Sequence, residues 1–358
     1  MTDIIVIGGG MAGLSAAARL SADANVTLLE AEDSLGYHAS GRSAALLEKN
    51  YGAASVQALN RASEAYLRDH DGGYLSPRGL MLLAHPNEDA GFVADMQYMA
   101  LTEITPAEAC AMIPVLDPAK LHRAAYHADA QDIDTDRLLQ GFAKTLRRNG
   151  GQVLTRRRVD LITRTGQHWE VRAGNHVYHA PLLVNAAGAW ADDVAKKAGI
   201  APLGIVPHRR SMARIPAPAG ADVTGWPIFF GIRESWYAKP DAGALLVSPA
   251  DEDPVPPHDA WADDITLAQG IARYQDMVTP PVTRMLSSWA GLRSFAPDRT
   301  LVLGRDRHVP EFIWCAGQGG YGIQTSPAAS QLVADIVMGR ASVLSQKTVA
   351  ALSPDRFS

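Results

Sequence analysis

Short apolar runs, each closed by glycine or small polar residues, punctuate this chain. Asp3 to Ile7 (DIIVI) is one, Val26 to Leu29 (VTLL) is a second, and Leu182 to Asp192 (LLVNAAGAWAD) opens with a third. Runs this short and rich in aliphatic residues suit strands buried on both faces. Between the first two lies the Ala-rich LSAAARL, which is helical in composition. Near the other end, FIWCA leads through a glycine-rich turn into a helix, and SQLVADIVMG keeps an amphipathic helical period until Gly339 stops it. Two blocks differ in character: Leu75 to Gln131, with acidic helical stretches, and Ile205 to Pro281, rich in Pro, Trp and hairpin turns such as KPDAG. The pattern predicts an α/β unit from residues 1–74, 132–204 and 282–358. A discontinuous α+β unit on a mostly antiparallel sheet is expected from residues 75–131 and 205–281.

Length supports that division, because 358 residues exceed one small core. With 47% hydrophobic and 20% charged residues the composition is ordinary, and a net charge of −5 argues against a general nucleic-acid binder. Cys110 and Cys315 stand far apart, which fits neither a disulfide framework nor a zinc site and suits a reducing cytoplasm. The N-terminal apolar stretch lacks a basic flank and is crowded with glycine. A soluble protein with no targeting or membrane segment is expected.

Gly8, Gly10 and Gly13 stand in G-x-G-x-x-G spacing directly after the first strand, and Glu30 ends the second. The first glycine permits a tight turn and the second lets backbone approach a pyrophosphate. The third lets the helix pack on the strand with its N–H groups aimed at phosphate. Glu30 sits where a ribose hydroxyl would be held, and Ala31 and Glu32 disfavour a 2′-phosphate. A tight turn without ligand is the plainer reading, but strand, turn, helix, strand and acid together point to a dinucleotide. The following YHASGRSAALLEKNYG offers Ser40, Gly41, Ser43, Ala44 and Ala45 as a small-residue bed for a flat ligand, with Arg42 either pairing with phosphate or locking the loop.

This stretch resembles the FAD-cradling segment of the FAD-dependent D-amino acid oxidase-like flavoprotein family, which also contains the glycine and sarcosine oxidases. The resemblance implies a Rossmann-like FAD-binding domain, a substrate domain covering the flavin, and non-covalent FAD held by Gly8, Gly10, Ala12, Gly13, Glu30, Ala31 and the Ser40–Ala44 stretch. Val159, in RRRVDLI, is expected near the adenine, and the arginines before it read as a solvated strand end. Ala187, Gly188 and Trp190 match a second flavin-contacting strand, and Gly291, in SWAGLRSF, a close backbone approach. In GQGGYGIQTS, the resemblance assigns Gly319, Gly320, Tyr321, Gly322, Ile323 and Gln324 to the flavin's N1/C2=O edge, where charge gathers on reduction. His38 and Cys315 are not required as flavin linkages.

Within the family, GYHASGRSAA, LSPRGLMLL, DIDTD, LVNAAGAW, RRSM, ESWYAKPDAG and WAGLRSF, in that order, are similar to the bacterial D-arginine dehydrogenase group. What this implies is hydride transfer from an amino acid Cα to flavin N5, with an imino acid released and hydrolysed. Arg210 and Arg293 match positions facing the substrate carboxylate, Tyr51 and Tyr237 match hydroxyl donors to it, and Gly320 a carbonyl near the amine. Two positions depart. Leu46 replaces a histidine after R-S-A-A, and Leu80 replaces the acid that would pair with a guanidinium. An unpaired buried cation is expensive, so neutral or apolar D-amino acids are expected in place of basic ones. Glu48 either faces the amine or is merely solvated. Oxidation of a secondary or N-methyl amine, of a 2-hydroxy acid, or a flavin module without its own substrate are the competing readings. The electron acceptor, whether quinone, dye-like or O2, is open.

Overall fold

The computed structural model describes residues 2–357. The short apolar runs form a six-stranded sheet in the order Val302–Arg305, Phe312–Ala316, Leu182–Asn185, Ile4–Ile7, Val26–Leu29, Gln152–Leu154. Its strands run parallel, with Ile4 facing Val26 on one side and Leu182 on the other, except that Val302–Arg305 is antiparallel to its neighbour. Every residue of Ile4–Ile7 and of Val26–Leu29 is buried. That double-sided burial is why both read as unbroken apolar runs. Ile4 and Val6 pack under the helices Met11–Leu20, Thr135–Arg148 and Gly322–Met338. Ile5 and Ile7 face the other way, against Trp169 of an antiparallel meander formed by Leu161–Thr165, His168–Ala173 and His176–Ala180.

The Gly322–Met338 helix carries Pro327 inside it. Proline removes the N–H that would bond the Ile323 carbonyl, and the neighbouring Ser326 hydroxyl donates to that carbonyl at 2.9 Å. The helix therefore continues through a residue that would otherwise break it.

The second sheet is eight-stranded, in the order Ser287–Phe295, Val206–Pro216, Ala244–Ser248, Tyr237–Asp241, Ile228–Gly231, Leu80–Ala84, Arg123–His127, Thr102–Ile104. It is antiparallel apart from the parallel pair Ile228–Gly231 and Leu80–Ala84, in line with the mostly antiparallel expectation. The KPDAG hairpin turns through Ala242 and Gly243, both at positive φ (44° and 74°), as a two-residue hairpin requires.

Pairing cuts across the boundaries drawn from the sequence. Ser287–Phe295, expected with residues 282–358, hydrogen-bonds along Val206–Pro216, from Val206 facing Phe295 to Arg214 facing Ser287. Leu75–Pro77, expected with the second unit, lies in a small sheet with Gln131–Ile133 and Leu46–Leu47. The face of the large sheet turned to the first unit carries Leu80, Leu82, Met212, Phe230, Tyr237 and Leu246 in one cluster with Leu46 and Tyr51. Its other face is closed by the helices Pro106–Met112 and Asp264–Met277. No helix among the described residues is long and apolar enough to cross a membrane.

Candidate active site

The C-terminal ends of Ile4–Ile7, Val26–Leu29 and Leu182–Asn185 open on one cavity of about 530 Å³. This is the edge at which open α/β sheets take their ligands. Gly8, Gly10 and Ala12 form its wall, whereas Gly13 stands behind. A Cβ at Gly13 would lie 1.9 Å from the Gly8 carbonyl oxygen, so the absent side chain lets helix and strand close up. Neither Met11–Leu20 nor Gly322–Met338 has a side-chain hydrogen bond from its N-cap residue. Of the N–H groups this leaves, that of Met11 donates to Ser40 Oγ at 2.9 Å. The rest of these helix starts border the cavity and suit an anionic phosphate or the electron-rich edge of a flavin.

Glu30 holds the turn as well as the wall. Its Oε2 accepts the Gly9 N–H at 2.5 Å and its Oε1 the Glu32 N–H at 2.8 Å. Each oxygen keeps a lone pair for a ribose hydroxyl. Ala31 and Val159 line the same end. Arg157 and Arg158 border it too; Arg158 pairs with Glu32 at 3.1 Å and Arg157 donates to the Tyr178 hydroxyl at 2.9 Å.

The Tyr37–Ala45 stretch holds a single 3₁₀ turn, Ala39–Arg42, and then becomes extended at Ser43. The Gly41 N–H turns back to the Gly36 carbonyl at 2.7 Å. Ser40, Ser43 and Ala44 reach the cavity, while Gly41 packs against Gly36 and is not on the wall. Of the two roles open to Arg42, the structure shows the lock. It donates to the carbonyls of Ala260 (2.8 Å), Ala290 (3.0 Å) and Tyr37 (3.2 Å), and pairs with Asp259 at 2.5 Å. The Arg42 guanidinium holds the Asp259 carboxyl below the usual carboxylate range. Segment 258–260, which carries His258 and Ala260 to the cavity, has no sequence periodicity that would have marked it.

At the far end, Arg210 and Arg293 come from the two long paired strands, Arg210 facing Gly291 and Arg293 facing His208. They are diagonal neighbours on one face, about 7–8 Å apart at the backbone. Strand alternation sends Arg209 to the opposite face, where it takes the pair with Asp251 (3.1 Å) and Asp253 (2.8 Å). Arg210 is buried; its Nε donates to the Asp251 carbonyl at 2.9 Å, and its Nη1 has no partner among the described residues. The Arg293 guanidinium covers Gly320, where a Cβ would meet Nη1 at 3.0 Å. Burial works against the Arg293 cation, but Tyr51, Tyr237, Glu234 and Glu252 outweigh it and hold its pKa above the ordinary value. Tyr237, Met212, Gly291, Gly319, Gly320, Gly322, Ile323 and Gln318 complete this end, with Ala187, Gly188 and Trp190 along the side. Gly319 stands at φ 52° with Phe295 against its open side, so only glycine fits there.

Besides Gly13, Gly41 and Glu48, five expected residues lie off the wall. Tyr51 stacks edge-on to Tyr321 (5.3 Å), and its hydroxyl donates to Glu234 at 3.3 Å. Burial, reinforced by Glu234, pushes the Tyr51 phenol up. Gln324 is buried and its Oε1 accepts the Glu48 N–H at 2.9 Å. Leu46 and Leu80 pack one layer behind, in the cluster of Tyr237 and Met212. Tyr321 is the N-cap residue of the Gly322–Met338 helix and packs against Tyr51.

Glu48 meets neither expectation. It is buried rather than solvated, and its carboxylate turns from the cavity to the Asn50 N–H (2.8 Å) and His127 Nε2 (2.9 Å). His127 Nδ1 accepts the Asp129 N–H at 3.1 Å. Cys315 is buried, with its thiol pushed up to about 12 by burial. That suits a small core residue better than a flavin linkage. No metal-binding cluster occurs among the described residues.

The chain matches the family model described as FAD dependent oxidoreductase over residues 3–336. It is similar to the bifunctional protein ThiO/ThiG of Nostoc sp., at 25% identity over 50% of this chain and 26% of that protein, so it spans about a quarter of that relative's length. Among solved structures it shares the fold of glycine oxidase from Geobacillus kaustophilus, with TM-score 0.84, 22% identity, and 98% of each chain covered. It also shares the fold of L-proline dehydrogenase from P. horikoshii, with TM-score 0.84, 21% identity, and 99% and 97% covered. This chain therefore belongs to the FAD-dependent oxidoreductase family, and FAD is its cofactor.

Proposed function

We propose that this protein is an FAD-dependent dehydrogenase or oxidase of neutral or apolar D-amino acids, within the group that resembles D-arginine dehydrogenase. The observation that carries the reading is the pair of guanidiniums at one end of the flavin cavity, with Arg210 Nη1 buried and unpartnered. A buried N–H without an acceptor is costly, and a substrate carboxylate would satisfy it. Arg210 and Arg293 would grip that carboxylate from diagonal strand positions, and the Tyr237 hydroxyl would complete its hydrogen bonding.

FAD, when bound along the glycine-rich wall, supplies a hydride acceptor at N5. The protein's share would be orientation: the clamp would fix the carboxylate, the Gly320 carbonyl would accept from the amine, and Cα–H would thereby face the flavin. The released imino acid is hydrolysed by water to a keto acid and ammonia. Leu46 and Leu80 back the pocket with apolar surface, which supports neutral over cationic side chains. The non-covalent mode of FAD binding, a quinone, dye-like compound or O2 as acceptor, and a reducing cytoplasm for two unpaired cysteines belong to the same reading.

The test is anaerobic bleaching of the bound flavin by matched D- and L-amino acids, including arginine, leucine, methionine and N-methyl variants. Reduction by neutral D-enantiomers is expected. Equal or faster reduction by D-arginine would overturn the apolar pocket. Reduction by N-methyl or cyclic amines alone would move the assignment to secondary amines, the class of substrate in the name of the L-proline dehydrogenase neighbour.

A further inference from the structure

Lys239 lies on the strand Tyr237–Asp241, two residues after Tyr237 and so on the same face of the sheet. A buried lysine needs a reason, because desolvating an ammonium is expensive unless it is paired and hydrogen-bonded. Lys239 is 8% exposed. Its Nζ donates to the Ala45 carbonyl at 3.1 Å and stands 2.9 Å from Asp132 Oδ1. Asp132 has a second cation: its Oδ2 accepts from Arg78 Nε at 2.8 Å and lies 2.7 Å from Nη2, and Arg78 is itself held by the carbonyls of Thr224 and Trp226.

The position of these partners gives the network its meaning. Ala45 directly follows Ser43 and Ala44, which line the flavin cavity. Asp132 sits in the small sheet opposite Leu46. One ammonium therefore joins the segment that lines the cofactor cavity to the strand that presents Tyr237. The two walls of the site arise from separate sheets, and among the interactions that join them Lys239 is a buried charge with specific geometry.

We propose that Lys239 is a positioning residue that fixes the Ser43–Leu47 wall against the Tyr237 strand, and so sets how tightly and in what environment FAD is held. It acts through the Ala45 carbonyl and does not line the cavity. The proposal rests on FAD binding alone and is independent of the substrate assignment.

The chemistry of the network makes it testable. Replacing Lys239 by methionine keeps an unbranched side chain of similar length and leaves Asp132 Oδ2 paired with Arg78, so the carboxylate retains one cation. What is lost is the donor to Ala45 and the charge across the seam. For Lys239→Met, FAD affinity measured by flavin fluorescence is expected to fall about tenfold or more. The visible circular dichroism of the bound flavin is expected to change, with the far-ultraviolet spectrum of the apo protein unchanged. Lys239→Arg keeps donor and charge, and is expected to restore the flavin signal and most of the affinity. Native FAD affinity and an unaltered flavin spectrum in Lys239→Met would overturn the proposal, as would equal losses in the methionine and arginine variants. Should Lys239→Met fail to fold, Asp132→Asn removes the ion pair and keeps an acceptor for Arg78. It is expected to shift the flavin spectrum in the same direction with a smaller loss of affinity, and no shift would refute the role.

Discussion

Replacing Gly10 by alanine separates what the glycine-rich turn does for the ligand from what it does for the fold. Gly10 has φ −79° and ψ −175°, an extended conformation open to any residue. An added Cβ would meet only Ser40 Oγ, at 3.2 Å, and otherwise points into the cavity. The apo protein should therefore keep its stability, and a small gain from the stiffer unfolded chain, about 0.4–1 kcal/mol, offsets the shift of Ser40. The ligand fares differently. A methyl on the cavity floor keeps phosphate oxygens from the backbone, removing about two charge-assisted hydrogen bonds worth about 1.5–3 kcal/mol each. FAD affinity should fall about 10²–10⁴-fold. Gly13→Ala is the contrast, since its Cβ would lie 1.9 Å from a backbone oxygen that cannot move aside. The helix must retreat, at about 1–3 kcal/mol for overpacking, and the apo protein should melt several degrees lower. Circular dichroism melts of both apo variants and fluorescence titration with FAD decide the matter. Gly10→Ala binding FAD within about threefold of wild type, or melting as low as Gly13→Ala, would refute this account of the turn.

Cys315, with its thiol near 12 rather than the ordinary 9, should carry about a thousandfold less thiolate at pH 8 than an ordinary cysteine. A chromogenic disulfide should label it only after unfolding; native labelling at the unfolded rate would contradict its burial. Because the folded value is raised, its contribution to stability is complete below pH 9 and is lost as pH climbs towards about 12. Glu48→Gln should leave the shape of the pH–rate profile intact, since the carboxylate faces His127 and not the cavity, while lowering the melting temperature. A displaced limb in that profile would return Glu48 to the mechanism.

The parts of this molecule that were legible in its sequence are those whose chemistry is local. The DIIVI strand, the three glycines and Glu30 belong to one continuous strand–helix–strand unit, so spacing alone carries the message. Arg210 could be preferred to Arg209 from its motif, and strand alternation supplies the physical reason. What stayed hidden depends on remote pairing. Nothing in SWAGLRSF says that it hydrogen-bonds to Val206–Pro216 rather than to the first sheet. Glu48 reads as a surface acid because His127, its partner, is a distant residue on another strand. Residues 258–260 reach the cavity through the grip of Arg42, a contact between segments with no shared periodicity. The Leu161–Ala180 meander likewise becomes visible only when Trp169 is seen under the parallel sheet.

The strand orders carry a lesson for anyone wishing to divide or decorate the molecule. The six-stranded sheet draws on residues between 4 and 316, and the eight-stranded sheet is threaded through its interior, between 80 and 295. Every cut between those outer limits splits the first sheet, so complementary fragments would each carry an unfinished edge ready to aggregate. The meander is contiguous, from Leu161 to Ala180, and its Gly166 tip lies in open space. That hairpin is the natural place to graft a label or a reporter without touching the seam between the sheets.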